Sequence, residues 1–155
     1  MDIRQLAKSE APPMDLLLEA DPSEKMVRLY LDEGQCYVAE VNSRVVGVYV
    51  LMPLSEAAAE IKNIAVAETE RGKGYGKRMI KHALDEARKA GFRHVEIGTG
   101  NSSFEQLALY QKCGFRMKSI DRGFFTRNYP EPIVENGLMC QDMVRLEFTF
   151  QNPSI

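Results

Sequence analysis

Apolar and polar positions along this chain fall into short periodic runs separated by proline, glycine and asparagine. After Pro12 and Pro13, Asp15-Leu16-Leu17-Leu18-Glu19-Ala20 predicts a short helical run. Asp21-Pro22-Ser23-Glu24 reads as a helix start with proline at the first helical position. That helix runs to about Leu31, and Gly34 stops it. Gln35 to Val41 is strand-like, Asn42-Ser43-Arg44 supplies a hairpin turn, and Arg44 to Leu51 returns as a β-branched strand ended by Pro53. A third strand is expected from about Ala59 to Val66.

A glycine-rich stretch then leads into a helix from about Gly74 to Ala90. Its Met79, Ile80, Ala83, Leu84 and Ala87 recur on one face, and Gly91 suits the left-handed position just past the end. His94 to Thr99 is another strand, so strand, helix and strand follow in the order of a right-handed crossover. Ser103 to Lys112 is a further helix closed by Gly114. Phe115 to about Phe125 and Met143 to Phe150 alternate enough to be the last two strands. The expected fold is α/β (or α+β), a mixed sheet of six to seven strands flanked by about four helices. No repeat or linker divides it, so one domain over 1–155 is expected.

At 155 residues the chain can bury a core of its own. Twenty Lys+Arg against 22 Asp+Glu give a net charge of -2. Such balance argues against a general electrostatic grip on nucleic acid. The N-terminal stretch lacks the apolar core of a signal peptide, and no run approaches a membrane span of roughly 20 apolar residues. Cys36, Cys113 and Cys140 are odd in number and widely spaced, which speaks against a disulfide framework or a metal site and for reduced thiols in the cytoplasm.

The chemistry concentrates in Arg71-Gly72-Lys73-Gly74-Tyr75-Gly76-Lys77. Alternate glycines let the backbone turn sharply and approach a ligand. The N–H groups of the loop and first helical turn, with the helix dipole, make an anion site, and Arg71, Lys73, Lys77 and Arg78 add positive charge. A flexible turn with a solvated basic fringe is the bland alternative. A Walker A loop would need glycine at Arg71 and Ser or Thr at Arg78, and a dinucleotide fingerprint would need glycine at Lys77; both fail.

What remains is R-x-x-G-x-G after the strand Ile61-Lys62-Asn63-Ile64-Ala65-Val66. Beyond it come Asn101, just after the next strand, and Leu109-Tyr110-Gln111-Lys112-Cys113-Gly114-Phe115. The pair of motifs resembles the acetyl-CoA signature and the Y-x-k-x-G-F ending of the GNAT superfamily of N-acetyltransferases. The resemblance covers about Gln35 to Arg116 and, more loosely, both ends. It implies that backbone amides from Arg71 to Lys77 hold the coenzyme A pyrophosphate. It also implies that the strand carrying Ile64, Ala65 and Val66 splays from its neighbour and pairs with the pantetheine arm. Asn101 would sit beside that arm. Broken alternation around Asn63 is consistent with a bulge there.

The resemblance further implies direct attack of an amine on the thioester, without an acyl-enzyme on Cys113. Tyr110 matches the family's general acid; the alternative is a helix tyrosine packed on the sheet with its hydroxyl satisfied. A backbone N–H of Ile64 or Val66 would stabilise the oxyanion. Glu60 matches the general-base glutamate of histone-acetylating members, or else is a surface carboxylate paired with Lys62. His82 and His94 have no visible partner and are expected to be solvated or structural. The expected cosubstrate is acetyl-CoA, with no metal. The acceptor is expected to be a primary amine of a small molecule or peptide. Arg122 to Gly137 is long for a hairpin loop, and its Phe124, Phe125, Tyr129, Glu131 and Glu135, with Asp142 beyond, would suit a cationic amine. Alternatively its aromatics cap the core or make a dimer contact, so a homodimer stays open. The rival to an enzyme is a catalytically silent acyl-CoA-binding module used for sensing.

Overall fold

The computed structural model describes residues 1–151. The chain divides into two compact units, Met1–Phe92 and the remainder from Arg93. The first runs β1 (Asp2–Gln5), α1 (Met14–Ala20), α2 (Glu24–Glu33), β2 (Gln35–Val41), β3 (Arg44–Pro53), β4 (Ala58–Val66) and α3 (Tyr75–Lys89). Its strands lie in the order β1-β2-β3-β4, each antiparallel to the next. Asn42 and Ser43, with φ of 51° and 65°, form the two-residue turn that joins β2 to β3. Both left-handed residues match the right-handed twist of the flanking strands.

β3 is buried along most of its length because helices cover both of its faces. Val48 and Val50 join Leu17, Val27, Tyr30 and Val38 in a core under α1 and α2. The intervening positions face α3: a Cβ at Gly47 would lie 2.6 Å from the Met79 sulfur, so glycine there lets the helix close on the strand. Met79, Ile80, Ala83 and Ala87, each fully buried, form the stripe expected for α3.

In the second unit follow β5 (His94–Gly100), α4 (Phe104–Lys112), β6 (Arg116–Asp121), α5 (Phe124–Asn128), the short hairpin β7 (Val134–Glu135) and β8 (Leu138–Met139), and β9 (Met143–Thr149). β9 lies between β5 and β6, antiparallel to both. No helix among the described residues is long and apolar enough to cross a membrane.

The structure departs from the expected elements in three places. β1 was not expected, since a four-residue polar strand carries little periodic signal; it forms by pairing with β2. Helix α2 is capped by Ser23, whose Oγ accepts from the Met26 N–H at 3.2 Å, and not by Asp21 with Pro22 as the first helical residue. Asp21 instead takes the Ser23 N–H and the Tyr30 hydroxyl. The strand expected from Phe115 to Phe125 ends at Asp121, where Gly123, at φ 76°, turns the chain into α5.

Candidate functional site

In the first unit the glycine loop joins β4 to α3. Gly72 and Gly74 have φ of 80° and 82°, and nothing lies within 4 Å of where a Cβ would stand on either. The left-handed backbone, not crowding, therefore demands glycine there. Gly76 does not turn the chain as expected; it lies in the first turn of α3 and has no positive φ. Arg78 N–H donates to the Gly74 carbonyl at 3.2 Å, and no side chain caps Gly74. The N–H groups of Tyr75, Gly76 and Lys77 precede that first helical bond, so they and the positive end of a fifteen-residue helix remain for an anion.

The basic side chains divide into two sets. Arg71 donates from Nε to the Val66 carbonyl and from Nη2 to Glu19, both at 3.2 Å. Lys73 donates to Glu70 at 2.5 Å, and Glu70 also meets Arg44 at 3.4 Å. The hydrogen bond from Lys73 holds the Glu70 carboxyl below its usual range and raises the lysine correspondingly. These pairs fix the shape of the loop, while Lys77 and Arg78 stand exposed at its helix end.

The expected irregularity in β4 is present. Val50 pairs with Asn63 and Leu51 with Ile61, which leaves Lys62 as the extra residue of a bulge. Ile64, Ala65 and Val66 pair with Tyr49, Val48 and Gly47. Glu60 is not a surface glutamate; it is 6% exposed, with Lys62 Nζ at 3.8 Å. It lies four residues before Ile64, about 13 Å along an extended strand.

Sequence reasoning missed a buried network beside this bulge. Asn63 Nδ2 donates to the Leu17 carbonyl at 3.0 Å and to the Tyr30 hydroxyl at 2.8 Å, and Tyr30 in turn donates to Asp21. A lone asparagine in an apolar strand was the available signal. His82, expected to be solvated or structural, has a structural partner that the sequence did not reveal: its Nδ1 forms a 2.7 Å hydrogen bond with the Tyr49 hydroxyl, and its ring meets the stacked Tyr37 and Tyr49 rings edge-on. His94 bonds Thr149 Oγ1 at 3.0 Å.

The second unit carries Asn101 and Tyr110. Asn101 Oδ1 accepts from the N–H groups of Gln141 and Asp142 at 2.9 and 3.0 Å, and its Nδ2 donates to the Met139 carbonyl at 3.1 Å. One carboxamide thus ties residues 139–142 to the end of β5. Tyr110 lies on α4, whose end explains the motif around it. Gly114 N–H bonds the Gln111 carbonyl, Phe115 N–H bonds the Tyr110 carbonyl, and the two rings meet at 6.3 Å. This is a Schellman cap with its hydrophobic pair. Gly114 is required twice over, by φ of 101° and by the Phe148 ring 2.9 Å from a Cβ. The Tyr110 phenol is 5% exposed, takes no hydrogen bond among the described residues, and burial pushes its pKa well above 10.

Residues 122–142 are folded, not loose. Asp142 accepts the Gly123 N–H, Arg127 bonds Asp121, and Asn136 bonds the Ser102 carbonyl. Phe125 stacks on Tyr129, and with Glu131, Ile133 and Met139 they line a cavity of about 190 Å³.

Within the first unit, left-handed glycines and the free first-turn amides of α3 follow a bulged strand, an arrangement suited to an anion such as the pyrophosphate of coenzyme A. The match of the acetyltransferase (GNAT) family model to residues 2–115 places the chain in that family. An uncharacterized N-acetyltransferase of Bacillus subtilis is 53% identical over 132 residues, 85% of each chain. The structure of a GNAT family acetyltransferase from Elizabethkingia anophelis with acetyl-CoA bound has a TM-score of 0.95 and 44% identity, over 96% of this chain and 97% of that one. A Bacillus subtilis acetyltransferase in complex with CoA gives 0.91 and 48%, over 96% and 98%. The expected fold class, a mixed seven-stranded sheet flanked by helices, is borne out. The chain is an N-acetyltransferase, and acetyl-CoA is its cosubstrate.

Proposed function

We propose that the chain, as one domain over 1–155, transfers acetyl from acetyl-CoA to the primary amine of a small molecule or peptide by direct attack. The carrying observation is the set of unspent N–H groups from Tyr75 to Lys77 behind two left-handed glycines. In this reading the amides after Arg71, up to Lys77, take the pyrophosphate, since the Arg71 N–H already bonds the Glu68 carbonyl at 3.3 Å; Ile64 to Val66 pair with the pantetheine amides, and Asn101 lies beside that arm. The amine nitrogen bonds the acetyl carbon as the carbon–sulfur bond breaks. An N–H of Ile64 or Val66 stabilises the oxyanion, and Tyr110 donates its proton to the departing thiolate. A phenol held protonated by burial and with no hydrogen bond among the described residues supports that role. Glu60, through water, takes the proton of the incoming ammonium. The aromatics and carboxylates of 122–142 favour a cationic acceptor, and the reaction belongs to the cytoplasm.

Release of free thiol from acetyl-CoA, measured over polyamines, amino acids, aminoglycosides and N-terminal peptides, tests the reading. Tyr110→Phe keeps the ring of the cap and should lower kcat by about 100-fold, the usual worth of a general acid, with acetyl-CoA affinity unchanged. Unaltered kcat would remove Tyr110 from the reaction. A silent binding module would gain the same amount as the enzyme, about 2.7 kcal/mol at one hundred times the acetyl-CoA Kd, but release no thiol with any amine.

A further inference from the structure

Strand β6 is the terminal strand on its side of the sheet, and five of its six residues are exposed. Met117 and Ile120 are 58% and 64% exposed. Terminal strands are ordinarily guarded by charge or by brevity. β1, the other terminal strand, follows that rule: it is four residues long, and Arg4 bonds Glu40 and Glu10 across it.

In β6 the guarding lysine is turned away. Lys118 donates to Glu147 on β9 and to Glu96 on β5, both at 3.0 Å, so its charge lies back over the sheet. Its position is also the extra residue of a bulge, since Met117 pairs with Leu146 and Ser119 with Arg145. In a regular strand residues 117 and 120 would face opposite sides. The bulge brings both to the side of their register partners Leu146 and Val144. Arg116 and Asp121, opposite Glu147 and Met143, share the other side.

The strand is therefore complementary to itself when run antiparallel. We propose that β6 is a homodimer interface, pairing about a two-fold axis with β6 of a second copy. Met117 then faces Ile120 of the other copy on one side of the continued sheet, and Arg116 faces Asp121 on the other. Each contact occurs twice by symmetry, as an isologous interface requires. Opposite charges and apolar side chains directly across an antiparallel pair are both favourable. Arg116 makes no ion pair among the described residues and has a charge to offer, while Asp121 keeps Arg127 at 2.8 Å on its own chain.

Sedimentation of the full chain over a range of concentrations should show a reversible dimer. Met117→Lys and Ile120→Lys, each at an exposed position, should shift it to monomer with the circular dichroism unchanged. The register has its own test: Met117→Cys mixed with Ile120→Cys should form a disulfide between copies under mild oxidation. Neither variant alone should do so beyond the unsubstituted control. A monomer at every concentration would overturn the proposal, as would a dimer that survives both lysines. Cross-linking of either cysteine variant alone as readily as the mixture would overturn it too.

Discussion

Two segments of this chain combine glycine with charged and aromatic residues, and they use them in opposite ways. In 71–77 two basic side chains are spent and the later amides are free: Arg71 and Lys73 are tied to Glu19 and Glu70, while the amides of Tyr75 to Lys77 have no helical partner. In 122–142 many backbone groups are spent, on Asn101, Asp142 and the β7–β8 hairpin, and the side chains line a cavity. Free amides recognise an anion whatever carries it, which suits a cosubstrate common to a family. A cavity made of side chains changes with each residue, which suits an acceptor that differs between members.

The hardest test of this contrast is Asn101→Ala. It leaves the Gln141 and Asp142 N–H groups and the Met139 carbonyl without their partner. Stability should fall by about 2 kcal/mol, a loss of about 4–8 °C in Tm for a chain of this size. A loss of acetyl-CoA affinity with no change in Tm would mean that the carboxamide serves the cosubstrate and not the segment it bonds.

Next in size is a pair of substitutions at matched glycines. Gly74 and Gly137 have φ of 82° and 76°, and neither has an atom within 4 Å of a Cβ. Valine at either position should cost about 1–2 kcal/mol of left-handed strain. Only Gly74→Val should also weaken acetyl-CoA, by about tenfold if that strain is relieved by moving the amides. Calorimetric titration of both variants with acetyl-CoA decides it; an equal loss at Gly137 would erase the distinction between the segments.

The smallest effect concerns pH. Lys73 depresses the Glu70 carboxyl below its ordinary 4.5, so this pair adds stability above that value and loses it as pH falls through the lower folded pKa. Glu70→Gln should flatten the decline in Tm below pH 4.5 and leave Tm near pH 7 little altered, because the pair is open to solvent. An unchanged acid limb would show that the pair is idle.

Local signals explain most of what the residues disclosed in advance. The stripe on α3, the turn at Asn42-Ser43, the stops at Gly34, Gly91 and Gly114, and the bulge beside Asn63 all arise from neighbours in the chain, so periodicity and glycine position reveal them. The same holds for the loop, where Gly72 and Gly74 mark left-handed turns. What local signals missed depends on partners far along the chain. β1 exists because β2 offers an edge. Asp21 serves Tyr30 and, through it, Asn63, 42 residues on, and so was mistaken for a cap.

By itself, then, the sequence determined the donor chemistry: glycines that only left-handed backbone requires, followed by a helix whose first amides can have no partner. It also determined the Tyr110-to-Phe115 motif, because a Schellman cap is a local structure. Tertiary structure decided how each group is conditioned. It buried Glu60 beside Lys62, enclosed the Tyr110 phenol with no hydrogen bond among the described residues, spent Arg71 and Lys73 on carboxylates, and turned Lys118 away from an open edge. Such properties depend on burial and on charges brought close by the fold, and neither is written in the spacing of residues along a chain.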